Sequence, residues 1–223
     1  MSDETEELET KAEKVPASNA GPSDPLLLSA VGLVGDITEE TANDVMFSLL
    51  MLHEKQTSDY LSMVLEMNAD DLNNLSEKEL QDLKPNIDFY ISTNGGNADE
   101  MFGIYDMMRK IKDTGVASVS AYGLGKVMSA GVLLLASGTK GKRYVGKHCR
   151  IMIHSVIGGS SGPMHQLENE FAEVKKIQDG YIQALVNESS MTEKQLRKLL
   201  KRKTNIYLSA EEAVELGIAD EVF

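Results

Sequence analysis

The fold class follows from residues 117–136, which are ASVSAYGLGKVMSAGVLLLA. The pattern predicts a strand from Ala117 to Ala121, a turn at Gly123 and Gly125, and an apolar helix that opens at Ser129 and runs through Ala136. A strand, a glycine turn and a helix in this order form a βα unit. Repeated units of this kind build an α/β protein with a mostly parallel sheet.

The same pattern occurs on both sides of this stretch. Upstream, the predicted elements are a strand over Ile87–Ser92, the turn Thr93-Asn94-Gly95-Gly96-Asn97 and a helix over Ala98–Ile111. Downstream, they are short strands over Lys142–Val145 and Arg150–His154, the segment Gly158-Gly159-Ser160-Ser161-Gly162 and a long amphipathic helix over Pro163–Asn187. The succession of strand, glycine turn and helix thus occurs three times, which predicts an α/β fold.

The two ends of the chain complete the predicted domain. Residues 1–24 are acidic and nearly free of large apolar side chains, which predicts a disordered tail, so the folded domain is expected to span 25–223. Its first elements are a strand over Leu26–Val34 and a Thr38-capped helix to about Gln56. Residues 58–85 are interpreted as an insertion in which Ser76 could cap a short helix. The last elements are a helix near Thr192–Lys201, a strand near Ile206–Leu208 and a helix from the Ser209-Ala210-Glu211-Glu212 capping box to Gly217.

Composition excludes several classes of protein. A net charge of −13 over 223 residues disfavours nucleic acid, and the basic cluster at 198–203 fits a solvated helix end better than a phosphate-binding patch. No apolar run is long enough to cross a bilayer, and no signal-peptide core precedes the domain, so a cytoplasmic protein is expected. Cys149 is the sole cysteine and the four histidines lack ligand spacing, so no metal site is predicted. No Walker or dinucleotide glycine motif is present, and therefore no cofactor is expected in this chain.

Ser129 and His154 are the candidate catalytic pair. Small residues around Ser129 permit a sharp backbone turn that exposes its hydroxyl, and His154 ends a predicted strand from which it could accept the hydroxyl proton. The amides of Gly96 and Ala130 could together hold an oxyanion at the carboxyl edge of the sheet. The alternatives are a serine at a helix start, a plain glycine turn and a half-buried strand histidine.

These residues resemble the proteolytic subunit of the Clp protease, ClpP, within the crotonase-like superfamily. The resemblance runs from Val31 to Phe223. It includes the oxyanion loop Ile91-Ser92-Thr93-Asn94-Gly95-Gly96, the nucleophile Ser129, Lys140-Gly141-Lys142-Arg143-Tyr144, Met152-Ile153-His154, Ser209-Ala210-Glu211-Glu212-Ala213-Val214, Gly217 and Asp220. It implies a ClpP/crotonase-like fold of repeated ββα units with a protruding handle at about 158–187. The family's triad aspartate is Asn205 here, its Ser-Pro is Thr93-Asn94, and its methionine after the nucleophile is Ala130.

The resemblance implies a serine endopeptidase that cleaves unfolded proteins or peptides inside a homo-oligomer of two stacked seven-membered rings. An AAA+ unfoldase partner would use the ATP. An asparagine at 205 can orient His154 but cannot stabilise an imidazolium, and therefore a weak or inactive subunit that assembles with an active partner is the alternative. A third possibility is an acyl-CoA enzyme of the crotonase-like architecture, against which the Ser129 and His154 pairing argues.

Overall fold

The computed structural model describes residues 29–201 and 204–223, so the predicted acidic tail and the first residues of the predicted first strand lie outside the described residues. The strands are β1 (Ala30–Val34), β2 (Asn86–Thr93), β3 (Ser118–Met128), β4 (Arg143–Val145), β5 (Arg150–Ile153), β6 (Ile206–Leu208) and β7 (Glu221–Val222). The helices are α1 (Glu39–Glu66), α2 (Ala69–Asn74), α3 (Glu77–Asp82), α4 (Ala98–Asp113), α5 (Ala130–Ala136), α6 (Met164–Glu188), α7 (Glu193–Leu200) and α8 (Ala210–Glu215).

One sheet, mostly parallel, organises these elements. Its strand order is β1-β2-β3-β4-β7, with β5 added beside β3 and β6 beside β5. Among the described strand pairs, only β5–β6 is antiparallel. The prediction of an α/β protein with a mostly parallel sheet is therefore confirmed. Within 29–201 and 204–223, no helix has both the length and the apolar character required to cross a bilayer.

Strand β3 corrects the predicted turn at Gly123 and Gly125. The strand continues to Met128 because its extra residues form a bulge: Ile91 on β2 pairs with Gly123, whereas Thr93 pairs with Val127. Gly125 has a φ of 64°, which glycine adopts without steric cost. After the bulge β3 changes neighbours, from β4 to β5. This change brings the ends of β3 and β5 side by side.

The helices differ from prediction mainly in their ends. The helix predicted to end near Gln56 continues to Glu66, and two short helices, α2 and α3, occupy much of the predicted insertion. Ser76 caps α3, as predicted, and the capping box at Ser209 is present on α8. Helix α5 is buried over its whole length, since every residue from Ala130 to Ala136 lies in the core. The serine that precedes it is thereby fixed against the centre of the sheet.

A buried ion pair fastens the C-terminal elements to this core. The Arg143 side chain, 4% exposed, donates to both carboxylate oxygens of Asp220 and to the carbonyl oxygens of Glu188 and Gly217. Burial opposes ionisation of Asp220, but the hydrogen bonds and charge of Arg143 outweigh it and lower the pKa of the carboxyl. The end of α6, the loop after α8 and β4 are thus joined at one side chain.

Candidate active site

Ser129 occupies a strained turn between β3 and α5. Its φ of 55° and ψ of −121° make it the sole non-glycine residue with positive φ among the described residues. Such a conformation costs about 1–3 kcal/mol and persists only where neighbouring contacts hold it. Here the Ser129 amide donates to the Met152 carbonyl on β5 at 2.7 Å, and the Ser129 carbonyl accepts from Val132 at 3.0 Å. The turn directs the chain sharply from strand to helix at the candidate nucleophile.

The Gly95-Gly96 turn lies directly against Ser129. A Cβ at Gly95 would come within 2.6 Å of Ser129 Cβ and 2.9 Å of the Met128 carbonyl oxygen, so only glycine permits this approach. Gly96 packs equally closely on Ile37, where an added Cβ would lie 2.2 Å from the carbonyl oxygen. Because Gly95 and Gly96 have no side chains, they permit this close packing as well as the predicted turn.

Two amide groups at this contact have no acceptor among residues 29–201 and 204–223. Ala130 is the first residue of α5, and its N–H accordingly has no partner within the helix. The Gly96 N–H donates to no backbone acceptor in the described part of the chain. Both residues line the same cavity as Ser129. Free donors beside a serine hydroxyl can stabilise negative charge that develops on a carbonyl oxygen.

His154 follows the last residue of β5 and lines the cavity with Ser129, Gly96 and Ala130. The cavity has a volume of about 570 Å³. Among the described residues, no hydrogen bond joins the Ser129 hydroxyl to the His154 ring. The structure thus brings four of the five predicted site residues to one cavity and leaves the serine and the imidazole unbonded. A candidate base can approach its partner more closely when substrate is bound.

Asn205 does not line the cavity and directly precedes strand β6. The antiparallel β5–β6 register ends at the pair Ile153 and Ile206, so His154 and Asn205 are the residues that flank this last pair. Asn205 is exposed to solvent. No hydrogen bond joins Asn205 to His154 in the described part of the chain, so its role in orienting the imidazole stays a prediction.

The remaining cavity wall includes residues that the sequence analysis did not single out. The apolar lining residues include Met101, Val156, Ile157, Val174 and Ile177. The polar lining residues include Asn94, Asn97 and Asp99, of which Asp99 carries the one carboxylate in the lining. Asp99 lies in the first turn of α4, directly after the glycine turn, and this adjacency was the available signal.

The apolar side chains of helix α6 are divided among the core, the cavity wall and solvent. Tyr181 and Leu185 are buried within this chain, and Val174 and Ile177 line the cavity, whereas Phe171 is 74% exposed. Burial raises the pKa of the Tyr181 hydroxyl, so this group is a neutral donor. The C-terminal half of α6 therefore belongs to the site itself.

Comparison with known protein families matches residues 66–223 to the family described as Clp protease. The matched region contains the glycine turn, Ser129, His154 and Asn205, together with every strand of the sheet except β1. The mixed α/β architecture with its parallel sheet is that of a ClpP-like fold. Because the match covers well over half of the sequence and the whole candidate site, the chain belongs to the Clp protease family.

Proposed function

We propose that this ClpP-like peptidase is a serine endopeptidase and that it acts as the proteolytic subunit of an ATP-dependent Clp-type protease. One observation carries the proposal: the strained Ser129 turn, two unpartnered amides and His154 all face one cavity. Acyl transfer requires a nucleophile, a base and an oxyanion site in this arrangement.

Each site residue has a separate role in the proposed reaction. Ser129 Oγ attacks the carbonyl carbon of the peptide bond, and His154 accepts the hydroxyl proton. The amides of Gly96 and Ala130 bind the oxyanion of the tetrahedral intermediate. His154 then gives the proton to the departing amine, and a water molecule hydrolyses the acyl-enzyme by the same steps. Asn205 orients the imidazole.

We further propose that the chain works inside a homo-oligomer of two stacked seven-membered rings in the cytoplasm. Family membership supports oligomeric assembly and protein substrates in general. Large apolar side chains at the start of α6 support the same proposal, because Met164 and Phe171 are 71% and 74% exposed. A partner AAA+ unfoldase would consume the ATP and feed unfolded chains to the cavity.

Labelling with a fluorophosphonate tests the serine chemistry directly. Wild type is expected to form a covalent adduct, and Ser129→Ala is expected to form none. Ser58→Ala is the matched control, since Ser58 is an exposed serine on α1 remote in sequence from the site. An adduct that persists in Ser129→Ala, or no adduct in assembled wild type, contradicts the proposal.

Asn205 favours a second candidate function, a slow or silent subunit that assembles with an active partner. An amide cannot stabilise the imidazolium as a carboxylate would. In this case wild type would enter mixed rings with an active family member yet form no adduct. Turnover of an unfolded protein by purified wild type alone would exclude this function.

A further inference from the structure

We propose that Gln178 and Tyr181 of α6 are positioning residues that hold the two halves of the catalytic pair in register. The inference rests on the proposed function of Ser129 and His154. One turn of α6 reaches both the serine turn and the segment after His154. Neither residue takes part in the reaction steps proposed for Ser129 and His154.

Tyr181 acts on the serine turn. Its hydroxyl donates to the Ser129 carbonyl oxygen at 3.2 Å, and its ring is 4% exposed. The carbonyl belongs to Ser129, the one described non-glycine residue with positive φ, and this unusual conformation persists only while its neighbours fix it. Because the ring is packed and the hydroxyl is uncharged, this hydrogen bond is a fixed constraint on the direction of the turn.

Gln178 acts on the segment that follows His154. Its Oε1 atom accepts from the Val156 amide at 2.8 Å, two residues beyond the candidate base. Its Nε2 atom is buried and has no partner among the described residues. A buried unpaired amide nitrogen is unfavourable, and its retention is explained if the Oε1 contact is what matters. A Cβ on nearby Gly158 would lie 2.6 Å from Val174 Cγ2, which shows how closely this segment packs on α6.

The two contacts act together because they lie three residues apart on one helix. Side chains at i and i+3 share a helix face, so a single rigid turn joins the serine turn to the histidine segment. Val174 and Ile177, on the same part of α6, line the cavity between them. The separation of Ser129 from His154 is accordingly set through α6 as well as through β3 and β5.

Removal of the Tyr181 hydroxyl tests the first contact. Tyr181→Phe keeps the ring and is expected to lower the rate of fluorophosphonate labelling about tenfold, since small displacements of a nucleophile cost much of its reactivity. Tyr105→Phe is the matched control: Tyr105 is equally a buried tyrosine, but its hydroxyl bonds to Glu188. The control should label at the wild-type rate. Equal rates for Tyr181→Phe and wild type overturn the role of Tyr181.

The second contact is tested by a pair of substitutions at Gln178. Gln178→Met removes the acceptor while preserving length, and Gln178→Glu retains an acceptor for the Val156 amide. We expect kcat for a fluorogenic peptide to fall about tenfold in Gln178→Met with KM within about twofold, and to recover in Gln178→Glu. A purely structural role would lower activity in both variants alongside Tm. Equal kcat in Gln178→Met and wild type overturns the role of Gln178.

A readout independent of turnover separates this inference from the proposed function. Carbon-13-labelled histidine reports the His154 ring in Ser129→Ala protein, with His154→Gln used for assignment. If wild type forms no fluorophosphonate adduct, the proposed serine chemistry is contradicted. The carbon-13 signal of His154 then tests the positioning roles. A shift of the His154 signal in Gln178→Met, absent in Gln166→Met on the exposed part of α6, supports the inference. An unchanged signal overturns it.

Discussion

Restoring the carboxylate at position 205 is expected to accelerate acylation of Ser129. Asn205 and His154 flank the last pair of the β5–β6 ladder, and an aspartate at 205 would place a carboxylate on the side of the imidazolium that forms when the ring accepts the serine proton. Asn205→Asp alters the charge and little else, since the two side chains have the same shape.

The size of the effect depends on how strongly solvent screens a charge at position 205. Two unit charges about 4 Å apart attract by about 1 kcal/mol in water and by about 4 kcal/mol at the effective dielectric of a protein surface. At about 1.36 kcal/mol for each factor of ten, these limits correspond to a fivefold and a thousandfold gain. Asn205 is exposed, which places the expected gain below the factor of about 10⁴ known for the buried aspartate of chymotrypsin-type enzymes.

The assay is the single-turnover rate of fluorophosphonate labelling at neutral pH, measured at low and high salt. Screening should shrink the gain at high salt because the pair is exposed. Asn74→Asp adds the same charge at an exposed position on α2 and serves as the control. A gain of less than twofold, or an equal gain in Asn74→Asp, would refute the argument that position 205 acts on His154.

Four further outcomes follow from contacts away from position 205. Asp220→Asn should lower the free energy of unfolding in urea by about 3–5 kcal/mol, because it leaves buried Arg143 without its counter-charge. The folded-state pKa of Asp220 is lowered, so in wild type its stabilisation is complete at neutral pH and should be lost as pH falls below the ordinary pKa of 3.8. Measurement of Tm across an acid titration would show this loss. Gly96→Ala should abolish labelling and lower Tm, since its Cβ would overlap the Ile37 carbonyl; normal labelling would argue against the oxyanion role. Because Asp99 carries the one carboxylate among the cavity-lining residues, wild type should prefer lysine over glutamate near the cleavage point in peptide libraries, and Asp99→Lys should reverse this preference; an unchanged preference would show that Asp99 does not face the substrate.

The βα units could be predicted because their signals are local. These signals are apolar runs, capping residues such as Thr38 and Ser209, and glycines at turns. Each affects the backbone within a few residues of its own position. The candidate nucleophile was predictable for the same reason, since a serine among small residues marks a sharp turn. Its partner His154 was predictable from its place at a strand end.

Longer-range features were not predictable from the same signals. The pattern Gly123-Leu124-Gly125 fits a turn and a bulge equally well, and the pairing of β3 with two different neighbours decides between them. The end of α1 was misplaced because the helix as a whole is weakly amphipathic and the polar residues around Gln56 are typical of a loop.

The α/β class, the glycine turn and the candidate serine and histidine could be predicted from the sequence, because they depend on short-range propensity and pattern. The close packing of Gly95 on Ser129 and the contacts of Tyr181 and Gln178 with the site are visible in the folded structure alone. Each of these contacts joins residues far apart in the chain. Strand register and helix docking fix them, and both are set by burial of the whole core.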